Sequence, residues 1–359
     1  MIQGLNVPVE LYRGIRDTYY PLPNRPDIIK AYPIRKRLPV RIFFPSHHDL
    51  TSPALLPTLF TIHGGAFTFG HASDDDPWNR AFADTYTVLI ISLNYSKSPW
   101  STFPSPLLDI EALYHAALND ESLPIDRMRT AIAGFDAGGN LALALCQLPS
   151  VKSGRNPNPH PHPNSITESN YAGTSTTRCN PPPAAVVSVC GMLDFTTSAA
   201  EKLATRPYKR QLRGPRGWGP ALDWMGRLVP SSAWSYIPYG HDAADPLLSP
   251  VYADREELVP LHVMAVAAEL DCLANESSQS RCRSPKPQHK PDLPDYDDGG
   301  GAHGSTKWLL VPDVVHGFDS AGWRGKYLWA DEIARMDAEM KTIAYQREMA
   351  EWLWGTVWR

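Results

Sequence analysis

The stretch Gly134-Phe135-Asp136-Ala137-Gly138-Gly139-Asn140 decides how this chain folds. It joins the short apolar run Ala131 to Ala133, which reads as a strand, to a segment from Ala137 to Leu148 whose apolar residues recur at three and four, the spacing of a helix. Passing from strand to helix in so few residues demands a sharp turn, and small residues on both sides of the central position let the two backbones pass closely. The side chain of Asp136 then stands at the helix N-terminus, where free amides and the helix dipole favour negative charge. A helix cap would also account for an aspartate there. It would not account for glycines at both minus two and plus two.

Working outward, other apolar runs are short, β-rich and bounded by turn residues: Thr58 to Ile62, Val88 to Leu93, Ala185 to Cys190, Leu261 to Ala267 and Trp308 to Val311. Fully apolar strands suit a parallel sheet buried on both faces. Helix-like segments at Leu107 to Leu118 and Ala330 to Trp354 alternate with them, which predicts an α/β architecture. The first run leads directly into His63-Gly64-Gly65-Ala66-Phe67. Glycines after a strand let amides turn toward one point, as an oxyanion hole requires, although a plain tight turn would need the same glycines. The run Leu261 to Ala267 ends in Glu269-Leu270-Asp271, and Trp308 to Val311 is followed by Asp313 and His316-Gly317-Phe318. Loops that follow parallel strands meet at one edge of the sheet, so Asp136, Asp271 and His316 are expected to converge.

These motifs, with Tyr95 to Pro104 (YSKSPWSTFP) and Asp245 to Pro250 (DPLLSP), resemble the hormone-sensitive-lipase-like branch of the α/β-hydrolase superfamily over most of residues 56–330. The resemblance implies an α/β-hydrolase fold, a mostly parallel central sheet flanked by helices under a helical cap, and hydrolase-like, carboxylesterase-type activity. It maps the oxyanion donors onto Gly64, Gly65 and Ala137, the acid onto Asp271 and the base onto His316. It implies no metal or organic cofactor. One departure matters: where that family carries its nucleophilic serine this chain has Asp136, and no register of the glycines restores a serine. Phe135 and Ala66 also differ from the family pattern, with no expected consequence.

An aspartate at the elbow changes the chemistry. Attack on an ester carbonyl would give an intermediate that expels the carboxylate again more readily than an alkoxide, so ordinary serine-esterase turnover should be poor. Attack at saturated carbon instead forms an alkyl-enzyme ester, which water activated by histidine can cleave. Proton transfer between Asp136 and His316 could alternatively drive a condensation, cyclisation or elimination with the glycine amides stabilising an enolate. A third reading is a ligand-binding protein that has lost catalysis. The expected function is a tailoring hydrolase of specialised metabolism, acting on a small, largely apolar organic substrate. With carboxylates on both sides, His316 should carry a raised pKa.

The bulk properties fit a single domain of 359 residues. Its net charge of −4 argues against a nucleic-acid surface. No apolar stretch approaches the ~18 residues of a membrane span, and Met1 to Tyr20 lacks the apolar core of a signal peptide. Five cysteines without C-x-x-C spacing make a disulfide framework or zinc site improbable, so a cytoplasmic protein is expected. Proline is in excess, at 35 residues; seven lie in 151–183 and four in 276–305. Both stretches are expected to be solvated loops inserted into one domain, with no packed element. His160, His162 and His289 within them are set aside as sites. Residues 196–240, rich in Trp and Tyr, read as a cap, joined by the N-terminal segment; ordinary packing accounts for its aromatics as well as ligand contact does, and Tyr208, Tyr236 and Tyr239 are available hydroxyls to which the sequence assigns no role.

Overall fold

The apolar runs become neighbouring strands of one nine-stranded sheet: β1 Ile28–Lys30, β2 Val40–Phe43, β3 Leu56–Ile62, β4 Leu89–Leu93, β5 Ile125–Phe135, β6 Ala185–Val189, β7 His262–Ala268, β8 Asp295–Asp297 and β9 Thr306–Val311. The computed structural model describes residues 24–155, 180–212, 214–217, 223–254, 258, 262–279, 295–297, 304–321 and 332–359. Spatial order runs β1-β2-β4-β3-β5-β6-β7-β9-β8, and the six strands from β4 to β9 pair in parallel. Antiparallel strands close both edges. The sheet is mostly parallel and flanked by helices, as the sequence predicts.

Alternation along the strands sets the two cores. Phe60 and Ile62 of β3, with Leu89, Ile91 and Leu93 of β4, face one cluster, while Leu59 and Ile90 face the other. Helix α1 Asp76–Tyr86 and the later α8 Glu332–Trp352 cover the second face. Helices α2 Ser105–Leu118 and α3 Ala137–Leu145 cover the first. A sheet apolar on both sides must be sandwiched in this way. Strand β2 escapes the sequence pattern because Arg41 interrupts it, buried and paired with Asp76 of α1.

The two proline-rich stretches differ from expectation in their margins. Helix α4 Pro149–Ser153 runs into the first, after which Gly154 O accepts from Asn180 N at 2.9 Å, so the chain leaves and re-enters at one point. Residues 156–179, with His160 and His162, lie outside the described residues. In the second, α7 Ala274–Gln279 occupies the start, and β8 adds an antiparallel edge to β9. Proline-rich composition hid these elements because each is short, and β8 takes its hydrogen bonds from β9. His289 lies outside the described residues, as do residues 1–23, which were expected to join the cap. Within 196–240, helices α5 Ala199–Ala204 and α6 Met225–Tyr236 are described.

Candidate active site

Strands β3, β5, β7 and β9 end at the same sheet edge, so the loops after them meet there. Between β5 and α3 the backbone of Asp136 takes φ 50° and ψ −115°, strained for any residue but glycine. A Cβ on Gly134 would lie 1.9 Å from Gly138 O, and one on Gly138 would lie 2.1 Å from Ile62 O. The glycines at minus two and plus two are therefore steric requirements of the turn. Asp136 N donates to Val189 O at 2.9 Å, fastening the turn to β6. Its carboxylate makes no cap hydrogen bond to α3, which disposes of the capping account.

The carboxylate looks the other way. Its Oδ2 accepts from Gly65 N at 2.9 Å and from Ala66 N at 2.7 Å. These amides converge because Gly65, Ala66 and Phe67 run at positive φ, 118°, 50° and 60°. The amides that meet the carboxylate are those of Gly65 and Ala66, where the sequence pointed to Gly64 and Gly65 as oxyanion donors. Gly64 instead leaves room for Asp136, since a Cβ there would lie 3.1 Å from Asp136 Cβ. Ala137 opens α3, where its amide has no intrahelical acceptor.

Asp136 Oδ1 lies 3.5 Å from His316 Nε2, an ion-pair distance, and His316 Nδ1 donates to Asp271 Oδ2 at 2.7 Å. Leu273 N fixes the other Asp271 oxygen at 3.0 Å. The structure thus brings Asp136, His316 and Asp271 together at the sheet edge, the last two buried and Asp136 partly so. Burial alone would disfavour a charged imidazole, but Asp271 and Asp136 on either side hold His316 well above its usual range. Burial likewise opposes charge on Asp136, and is outweighed by His316 and the two amides, which keep the carboxyl low. Both directions favour a charged imidazole facing the Asp136 carboxylate.

Several supporting residues carried no distinct signal in the sequence. His63 is buried, and burial and Lys97 hold its pKa well down, so the neutral ring takes a hydrogen bond from Lys97 Nζ at 3.0 Å and donates Nδ1–H to Gly64 O at 2.7 Å. That fixes the carbonyl just before the amide pair. Thr68, Ser98 and Ser235 share hydroxyl hydrogen bonds of 3.0 Å, and Tyr236 stacks on Phe67 at 3.8 Å, so α6 presses on the same loop. Lys209 reaches Glu269 at 2.7 Å and Asp313 at 2.6 Å, tying together the loops that carry Asp271 and His316. Of the candidate cap tyrosines, Tyr239 is fully exposed, Tyr208 bonds Asp223, and Tyr236 is buried.

Among the described residues Cys190, Asp271 and His316 place potential ligand atoms within 4.8 Å of one another. His316 Nδ1 is already committed to Asp271, and burial raises the Cys190 thiol far above its usual range. The group reads as packing behind the histidine rather than a ligand set. No helix among the described residues is long and apolar enough to cross a membrane.

Comparison with known proteins agrees with this architecture. The model of the alpha/beta hydrolase fold family matches residues 59–288. The chain belongs to that family. Arylacetamide deacetylase of Oryctolagus cuniculus is 36% identical over 115 residues, 31% of this chain and 28% of that protein. Carboxylesterase NlhH of Mycobacterium tuberculosis is 31% identical over 115 residues, 31% of this chain and 34% of that protein. These matches therefore span about a third of each relative's length. Among solved structures, the monoclinic form of the Pyrobaculum calidifontis esterase superposes with a TM-score of 0.62 at 18% identity, covering 98% of this chain and 93% of that one. The thermostable carboxylesterase EstE1, from a metagenomic library, gives 0.59 at 22% identity over 96% and 97%. At those identities the likeness is one of fold.

Proposed function

We propose that this protein is a hydrolase that acts at saturated carbon rather than at an acyl group, in which Asp136 fills the position of the family's nucleophilic serine, with His316 as acid and base and Asp271 as its orienting carboxylate. The esterase and deacetylase relatives support hydrolysis as the reaction class, and the carboxylate at the elbow supports a departure from their acyl chemistry. The observation that carries the reading is the seating of Asp136 Oδ2 between the amides of Gly65 and Ala66. An acyl substrate would need those amides for its own carbonyl oxygen, and they are taken. Oδ1 remains as the attacking atom.

Attack by Oδ1 on saturated carbon gives an ester of Asp136 whose carbonyl oxygen is Oδ2, already between two donors. Water deprotonated by His316 then adds to Cγ, and negative charge develops on Oδ2, where preorganised amides are worth most. Ala137 N is a further donor in this account. The substrate is a small, largely apolar molecule, and a tailoring step of specialised metabolism is the setting we assign. Buried free thiols at Cys146, Cys190 and Cys272 fit the cytoplasm.

A panel of small apolar aryl esters, epoxides and alkyl halides, given to wild type, Asp136→Asn and His316→Ala, tests the reading. Hydrolysis by wild type should fall about 10²–10⁴-fold in both variants. Unimpaired hydrolysis in either removes the assignment, and saturable binding without turnover would make the protein a receptor instead.

A further inference from the structure

Lys97 lies just beyond β4, in the segment Asn94-Tyr95-Ser96-Lys97. Its ammonium donates to His63 Nε2 at 3.0 Å, to Asn94 Oδ1 at 3.4 Å and to the Tyr95 carbonyl, over the face of the Tyr95 ring. That ring stacks on His63 with centroids 4.4 Å apart. We propose that Lys97 is a positioning residue of the active site: by requiring an acceptor at His63 Nε2 it places the imidazole proton on Nδ1, and through that proton it orients the Gly64–Gly65 peptide whose amide meets Asp136. The inference needs only the contact between that amide and the carboxylate, whichever step Asp136 performs.

Without the lysine the ring has no reason to choose a tautomer. Nδ1 faces Gly64 O at 2.7 Å and Nε2 faces Asn94 Oδ1 at 3.2 Å, so there is an acceptor on each side. The Asn94 oxygen is fixed in that place by Tyr95 N, which donates to it at 2.9 Å. A neutral imidazole carries one proton, serves one acceptor and turns a lone pair on the other. An ammonium has donors and no lone pair, so beside Lys97 the bare nitrogen must be Nε2. An imidazolium would serve both acceptors, but burial of the ring and the charge of Lys97 oppose it.

The tautomer matters because Gly64 O and Gly65 N belong to one trans peptide, whose C=O and N–H point opposite ways. With the carbonyl held by His63 Nδ1–H, the amide faces the other side and donates to Asp136 Oδ2 at 2.9 Å. Tyr95 Oη supports the same orientation, donating toward His63 O at 3.2 Å and Gly64 O at 3.4 Å. With Nδ1 bare, two lone pairs would confront each other across 2.7 Å. The peptide would then turn and carry Gly65 N away from Asp136. Lys97 thus acts on the carboxylate through His63 and one peptide plane.

The test is ¹⁵N NMR of the full chain labelled at histidine and glycine, as wild type, Lys97→Met and Lys97→Arg, with the His63 signals identified by their loss in His63→Gln. In wild type, His63 should be neutral with its proton on Nδ1. Lys97→Met should move the proton to Nε2 or charge the ring, while Lys97→Arg, which keeps a cationic donor, should retain the Nδ1–H form. Hydrogen exchange of the Gly65 amide should quicken about 10-fold in Lys97→Met and stay near wild type in Lys97→Arg. Circular dichroism checks that each variant folds, and Lys97→Leu replaces Lys97→Met if the latter does not. A wild-type His63 that is cationic or protonated on Nε2 overturns the proposal, as does an Nδ1–H form that survives loss of the lysine. A changed tautomer with unchanged Gly65 exchange overturns the link from Lys97 to the peptide.

Discussion

Ala66 donates its amide hydrogen to Asp136 Oδ2 at 2.7 Å, linking two loops that lie 70 residues apart in the chain. The contact means that the donors of this site serve the protein's own carboxylate before any substrate arrives. A hole of this kind cannot polarise an incoming ester, but it is aimed at the carbonyl oxygen of an ester formed on Asp136 itself.

Removing the carboxylate should therefore restore the older chemistry. In Asp136→Ser the amides of Gly65 and Ala66 lose their internal acceptor, and a hydroxyl stands beside His316. We expect 4-nitrophenyl acetate hydrolysis to rise above wild type by about 10²-fold, the worth of one oxyanion donor. A rate no higher than that of wild type would mean that the two amides do not form a hole accessible to an acyl group.

The ion pair has a pH signature. Asp136 is held below its ordinary 3.8, so its stabilising contribution is present above that value and is lost as pH falls through the folded-state pKa. His316 is held above its ordinary 6.5, so its contribution is complete below that value and is lost as pH rises through the folded-state pKa. Both are complete between 3.8 and 6.5. Urea unfolding of wild type and Asp136→Asn should show the largest stability gap in that window, shrinking in more alkaline buffer. A gap that grows with pH above 6.5 would contradict the charge assignment.

Much of this was legible before any coordinates. The parallel strands announce themselves because burial on both faces makes their central residues mostly apolar, and the elbow because a strand-to-helix turn tolerates only glycine at Gly134 and Gly138. The convergence of Asp136, Asp271 and His316 followed from strand ends sharing an edge. What could not be read was the one-residue shift of the amide pair to Gly65 and Ala66. It depends on three successive left-handed residues, two of them not glycine, and local propensity argues against that. Strand β2 was hidden by Arg41, whose burial is tolerable only because Asp76, distant in sequence, pairs with it. The role of Lys209 was equally invisible, since its partners Glu269 and Asp313 meet only after β7 and β9 have paired.

Helix α5 is fastened to α7 by a buried pair. Lys202 of α5 contacts both Glu276 of α7 and the Asp194 carbonyl, while Glu276 also accepts from Leu193 N and Asp194 N. Burial pushes the Glu276 pKa up to about 7, against the pull of Lys202 and the amides. Lys202→Met should cost about 3 kcal/mol at pH 8, where Glu276 is left charged and unpaired, and distinctly less at pH 5, where it is protonated. Equal losses at the two pH values would show that the pair contributes packing alone.

The contact between Gly154 and Asn180 makes a prediction about the first insertion. Because the two residues are hydrogen-bonded, a short glycine-serine link can replace residues 156–179 without moving either end. The shortened protein should unfold at a urea concentration close to that of wild type. Loss of the cooperative transition would show that the segment belongs to the core of the domain. Gly154 itself must stay, since it sits at φ 64° with its Cβ position 1.6 Å from Asn180 O.

The central claim is that Asp136 forms and loses a covalent ester in each turnover. It is tested most directly by mass spectrometry of the peptide carrying Asp136 after many turnovers of a hydrolysed probe in ¹⁸O-water. Hydrolysis at Cγ places solvent oxygen in the side chain, so the account predicts a peptide heavier by one and then two ¹⁸O atoms, with the label on Asp136. An unlabelled Asp136 after confirmed turnover would contradict it.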